Sequence, residues 1–318
     1  MATFESLTAA NRRNSVFLVI VFVLFICVLG GLLGWAIWGD PVAAVPSIAL
    51  ALVVSGIYAL VGYYAGAGMV LAMSGARPIQ KSDDPQLYNI VEELAIASGL
   101  PVPKLYVIDT PAMNAFATGR DPQHAVVAVT QGLRERLGRD ELQGVLAHEL
   151  SHVKNLDIRF MTLMAALVGV VVLLADLGAR AIFYGGGRRG RSRSRGGGGG
   201  GGIVMLVIIL VAVLLAIVAP ILAQLIQFAV SRQREFLADA SAAHMTRYPE
   251  GLARALEALA ADTAPMEQAS RATAHLFIVP PMMANNRRFG GRGTSMWSSH
   301  PDIAERVRRL RSIGDLAP

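Results

Sequence analysis

His148-Glu149-Leu150-Ser151-His152 has the form H-E-x-x-H. On a helix, residues four apart lie on one face, so His148 and His152 can hold one metal ion from the same side. Glu149 sits about 100° further round the helix and can reach a water on that metal. Zinc makes such a water acidic enough to attack a peptide carbonyl, and the carboxylate takes its proton. The flanking residues support a helix. Leu142, Val145, Leu146, Leu150 and Val153 make an apolar side, and Gly138 or Asp140 can cap the start. This stretch therefore predicts a metal-dependent hydrolase built around one helix.

The rest of the chain says where that helix works. Of 318 residues, 53% are hydrophobic and only 16% are charged, and the mean hydropathy is +0.48. A soluble domain is about a quarter charged. The excess lies in long runs, which predicts a membrane protein with a water-facing part. The net charge of +6 comes largely from Arg clusters beside apolar runs. That is a membrane-flanking pattern, and no basic-aromatic module argues for nucleic acid. The single cysteine, Cys27, excludes a disulfide within the chain and a cysteine zinc site.

Four apolar runs are expected to be transmembrane helices. The first is Ser15 to Trp38, read as a retained helix rather than a signal peptide. The second runs from about Val42 to Leu71. Arg12, Arg13 and Arg77 flank this pair and point to the cytoplasm. Residues 1–76 thus form an N-terminal membrane region, and 77–159 the first half of a soluble domain. There Leu87, Ile90, Val91 and Leu94 mark an amphipathic helix ending near Gly99. Residues 105–108 and 125–130 read as strands, and a short helix around 133–137 leads into the H-E-x-x-H helix. That helix is expected to continue through Lys154, Asn155, Asp157 and Arg159 into the third apolar run, from Phe160 to Leu177. The fourth run spans Ile203 to Val230. Residues 160–230 then make a membrane hairpin whose Gly/Arg-rich loop, 185–202, should be disordered. Residues 231–318 form the second half of the soluble domain. It has a helix at 248–262 begun by Pro249 and a basic helix from Ile303 to Leu310.

Catalytic zinc needs a third protein ligand and one open position. The metzincin pattern requires Gly at 155 and His at 158, where this chain has Asn155 and Ile158. Glu235, with Asp239 one turn further on, is a candidate ligand with a carboxylate to orient a ligand histidine. Glu235 could equally be an interfacial residue paired with Arg232 or Arg234. His244 and Asp157 are alternative ligands.

With Arg232-Gln233-Arg234-Glu235-Phe236-Leu237-Ala238-Asp239, the H-E-x-x-H segment resembles the HtpX-type membrane zinc metalloproteases. These are gluzincins related to the CAAX prenyl proteases. Asn114 to Gly119 resembles their N-A-F-A-x-G segment, Ala274 to Ile278 a late segment, and His300-Pro301 with Arg306 their closing H-P-x-x-x-x-R. Ser299 departs from the Thr that commonly precedes His-Pro. The Gly/Arg loop is also longer and more basic than the family leads one to expect. The resemblance implies an α+β zincin-like domain with a small sheet beside the membrane helices. It implies one Zn²⁺ on His148, His152 and Glu235, Glu149 as general base and Asp239 supporting a ligand. It places His300 and Arg306 in the cleft, near the oxyanion. It makes Asn114, Ala115, Phe116 and Ala117 the edge to which an extended polypeptide adds by main-chain bonds. Misfolded proteins of the inner membrane are the implied substrates, with the site facing the cytoplasm.

The residues bear on the alternatives. Arg139, Asp140, Glu141, Lys154, Asp157 and Arg159 ring the motif. Charges are costly at mid-bilayer, so an intramembrane protease is disfavoured. A non-catalytic zinc scaffold would want four protein ligands, and a CAAX-type processing protease is a further reading. One conflict remains: if the hairpin crosses the membrane, its Arg-rich tip lies opposite the cytoplasm, against the positive-inside tendency.

Overall fold

The computed structural model describes residues 45–163, 232–266, 273, 276–279 and 301–314, with scattered positions between 13 and 42. The third apolar run beyond residue 163, the fourth apolar run, the Gly/Arg loop and His300 fall outside the described residues. The chain divides into two compact units. One joins 1–15, 63–165 and 226–318, and the other joins 16–62 and 166–225. The first unit holds all the elements below apart from the N-terminal part of α1.

Helix α1 (Val45–Met73) is 29 residues long and carries no acidic or basic residue in its sequence. Some of its side chains lie outside the description. Counted over described residues alone, no helix is long and apolar enough to cross a membrane.

Strand β1 (Ala76–Pro78) leads to α2 (Pro85–Ser98). Asp84 caps α2 by accepting the Leu87 N–H, and Gly99 ends it at φ 72°. A left-handed residue there suits glycine. Leu87, Ile90, Val91 and Leu94 are buried, as their spacing predicts. Strands β2 (Lys104–Ile108), β3 (Ala115–Thr118) and β4 (Val126–Thr130) complete a sheet in the order β1-β2-β4-β3. The β2–β4 pair is parallel, and the two outer pairs are antiparallel.

Both faces of β3 and β4 are buried, and alternation sorts the side chains of β2, β3 and β4. Leu105, Val107, Ala115, Ala117, Val127 and Val129 join one core with the helices. Ile108, Phe116, Val126 and Ala128 join another with Val70, Leu71 and Phe277.

After the sheet come α3 (Gln131–Arg136), α4 (Arg139–Lys154), α5 (Arg232–Thr246), α6 (Pro249–Ala261) and α7 (Ile303–Gly314). Helix α4 carries the H-E-x-x-H motif. Gly138 starts it, with its N–H donated to Glu141 Oε2 at 2.6 Å. At Gly144 the helix meets α6 so closely that a Cβ would lie 2.6 Å from Leu252 N. The glycine sets that helix–helix distance.

The structure corrects the expected continuation of α4. The helix stops at Lys154, Asn155 caps it, and Leu156 adopts φ 58°. The chain turns there and is helical again over 157–163. A side chain in the left-handed region cannot continue a right-handed helix.

Candidate metal centre

Three elements deliver the site. Helix α4 supplies His148, Glu149 and His152, α5 supplies Glu235 and Asp239, and α7 supplies Arg306. All six side chains are buried. His148 and His152, one turn apart, meet edge to face with ring centroids 4.7 Å apart. Their Nε2 atoms are 3.2 Å apart. Glu235 closes the triangle, with Oε2 3.7 Å from His148 Nε2 and Oε1 3.6 Å from His152 Nε2.

Tetrahedral zinc with bonds of about 2.0–2.1 Å separates its ligand atoms by roughly 3.3 Å. The three donors therefore fit a zinc-sized ion. Among the described residues this is the only cluster of His, Cys, Asp or Glu able to hold a metal. His244, the alternative on α5, is exposed and stands outside it. Asp157 stands behind the site. Its Oδ2 is 3.0 Å from His152 Nδ1.

Each histidine is thus held from the rear by a carboxylate. Asp239 Oδ1 lies 3.0 Å from His148 Nδ1. A hydrogen bond at Nδ1 fixes the tautomer whose Nε2 lone pair faces the metal. Arg306 clamps Asp239 with two bonds, Nε to Oδ2 at 2.8 Å and Nη2 to Oδ1 at 2.7 Å. Burial alone would raise the Asp239 carboxyl, but Arg306 and His148 hold it below its ordinary range. For His152, burial alone would lower the pKa. The Asp157 hydrogen bond, with Glu235 and Glu149 nearby, instead pushes it up to about 9.

Arg306 is in the site, but not in an open cleft as expected. It is fully buried, with two of its nitrogens on Asp239. Nη1 lies 3.3 Å from Glu235 Oε2. The two carboxylates draw the guanidinium inward.

Burial raises the pKa of Glu149. The two histidines and the backbone N–H of Ala117, which donates to it, oppose the shift, while Glu235 adds to it. Ala117 belongs to β3, which is an edge strand. Part of that edge is already covered. Ile278 N donates to Ala115 O at 3.1 Å. Asn114 brackets the next residue, with Nδ2 donating to Val279 O at 2.7 Å and Oδ1 accepting from Val279 N at 3.3 Å. Phe277 meets Phe116 edge to face, centroids 5.1 Å apart.

Two features escape the sequence reading. Asp157 lies outside the candidate cluster and meets His152 Nδ1 from behind. Arg234 faces Asp157, with Nη1 3.9 Å from Oδ1. The Asp lies five residues after the second histidine, and that spacing is the only available signal.

The model of peptidase family M48 matches residues 81–314. A protease HtpX homolog of Listeria innocua serovar 6a is 41% identical over 311 residues, covering 98% of this chain and 99% of that protein. A protease HtpX homolog of Tropheryma whipplei (strain Twist) is 42% identical over 311 residues, covering 98% of each. One from Dictyoglomus turgidum is 40% identical over 314 residues, covering 98% of this chain and 96% of that one. The crystal structure of S. mikatae Ste24p aligns with TM-score 0.47 at 20% identity, covering 96% of this chain and 67% of that one.

Proposed function

This chain belongs to peptidase family M48 and is a metalloprotease, and from that premise we propose an integral-membrane zinc endopeptidase that cleaves misfolded membrane proteins. The observation that carries the proposal is the convergence of His148, His152 and Glu235, with Glu149 beside them. Zinc, when bound, polarises the scissile carbonyl and the attacking water.

The chain's own groups do the rest. Glu149 accepts a proton from the water and returns it to the leaving amine. Burial raises its pKa, which suits a group that must both take and release a proton. Asp239 and Arg306 hold His148 in its metal-facing tautomer. His300 is assigned to the charge that develops on the carbonyl oxygen. The β3 edge from Asn114 to Ala117 is assigned to an extended polypeptide that adds by main-chain hydrogen bonds, which requires residues 278–279 to leave Asn114 and Ala115. Binding through the backbone gives loose sequence preference, which suits quality control.

The protein as a whole is read as two membrane helices in 1–76 and a membrane hairpin in 160–230. The hairpin separates the two halves of the protease domain, 77–159 and 231–318. The apolar runs of the sequence and the uncharged length of α1 support this reading.

Its activity is tested with the purified full chain, prepared without chelator, and a misfolded membrane protein. Mass spectrometry should find internal peptides, which a chelator abolishes and added zinc restores. Bound zinc with no released peptide would favour a zinc-stabilised scaffold.

Topology has its own test in a Cys27→Ala background. One new cysteine is placed at 190 or 131, as Gly190→Cys or Gln131→Cys. Cells permeable only at the outer envelope are treated with an impermeant thiol reagent. A spanning hairpin with a cytoplasmic site gives labelling at 190 and none at 131. Protection of both until the inner membrane is opened would show a hairpin that dips in and returns.

A further inference from the structure

The H-E-x-x-H helix ends in a way that its own hydrogen bonding does not require. No glycine or proline stops it; the break falls at Leu156, whose φ of 58° is a conformation that side chains with a Cβ avoid. What the turn achieves is visible one residue later. Asp157 comes back against the helix it has just left, and its Oδ2 reaches His152 Nδ1 at 3.0 Å. Only 1% of the Asp157 side chain is exposed. Its other oxygen faces Arg234 Nη1 at 3.9 Å. Arg234 is buried with its guanidinium 5.5 Å above the Phe160 ring, and Phe160 follows on the same turn of chain. Arg234 also directly precedes Glu235 on α5.

The arrangement repeats the one on the other histidine. His148 is backed by Asp239, which is backed by Arg306. His152 is backed by Asp157, which is backed by Arg234. The two chains of contacts come from different parts of the sequence and differ in strength. Arg306 grips Asp239 with two hydrogen bonds, whereas Arg234 stands off at ion-pair distance.

We propose that Asp157 is a positioning residue for the metal site: it holds the His152 ring and tautomer with Nε2 toward the metal, and Arg234 keeps the carboxylate in place. The inference rests on the metal-site reading above. A left-handed leucine is the local cost of bringing the carboxylate there. Without Asp157, Nδ1 loses its acceptor, the ring is free to turn, and either nitrogen can carry the proton.

The test measures metal binding, apart from catalysis, in the purified full chain. Zinc affinity is read by competition with a chromophoric chelator, and ligand geometry by the visible d–d bands of the cobalt-loaded protein. Asp157→Ala should lower zinc affinity about 10–100-fold, the usual effect of losing a partner behind a ligand, and should shift the cobalt bands. Asp157→Asn keeps an oxygen that can accept the Nδ1 proton and should recover part of the affinity. Asp262→Ala is the control. It removes a carboxylate that accepts from Met113 N and Arg136, and it should leave affinity and spectrum unchanged. Wild-type affinity and bands in Asp157→Ala would overturn the inference alone. Equal losses in Asp157→Ala and Asp262→Ala would also overturn it, because both would then be effects on stability. Wild-type protein that takes up neither zinc nor cobalt would sink the metal-site reading together with it.

Discussion

Glu149→Gln is expected to reduce peptide cleavage by about 10³-fold, within the range for loss of a general base, while zinc content stays at the wild-type level. Glutamine has the size of glutamate and an oxygen that can still accept the Ala117 N–H. It cannot accept the water's proton. Glu149 is not among the three side chains that converge on the metal position, so metal binding should not suffer. Stability should not fall either. Burial is the largest influence on Glu149 and disfavours its charged form, and a neutral amide removes that penalty. The measurements are kcat/KM on a quenched peptide, zinc by elemental analysis and the thermal unfolding midpoint. Activity within tenfold of wild type would take the base role away from Glu149.

Glu235→Ala should remove zinc and activity together. Its carboxylate is fully buried and lies 3.6–3.7 Å from both histidine Nε2 atoms. Removing it leaves two protein ligands where a catalytic site uses three. It also leaves the Arg306 guanidinium with one carboxylate partner fewer, close to where a cation must bind. The fall in zinc affinity should exceed the ~10–100-fold that follows loss of a supporting residue. His244→Ala, an exposed change on the same helix, should alter neither quantity. If His244→Ala lost zinc and Glu235→Ala did not, the ligand role would pass to His244.

What could be read from the sequence is what short-range chemistry determines. Leu87, Ile90, Val91 and Leu94 give α2 because helical spacing puts them on one side, and Gly99 ends it because glycine tolerates the left-handed turn. Pro249 opens α6 for an equally local reason. The end of α4 was not legible. Lys154-Asn155 is only a weak stop signal, without glycine or proline, and a leucine gives no sign of a positive φ. That turn is held by long-range contacts, Asp157 to His152 and Arg234.

The third ligand shows the same limit. Spacing alone left Glu235, His244 and Asp157 open, because the choice depends on how α5 packs against α4. Arg306 could be read as a cleft residue only while its partners were unknown. Once Asp239 and Glu235 are placed, Coulomb attraction and the bidentate fit put its guanidinium behind the ligands. The edge position of β3 depends on strand order, which is set when β4 inserts between β2 and β3.

The grip of Arg306 on Asp239 spans 67 residues, and α7 is the last described helix of the chain. A nascent chain leaves the ribosome from its N-terminus. While the earlier segments are folding, Asp239 and Glu235 have no Arg306 beside them, and His148 has an unclamped support. The candidate metal centre is therefore completed only once α7 has been made. A metalloprotease made beside other unfolded nascent chains thus lacks its full site until α7 joins α5.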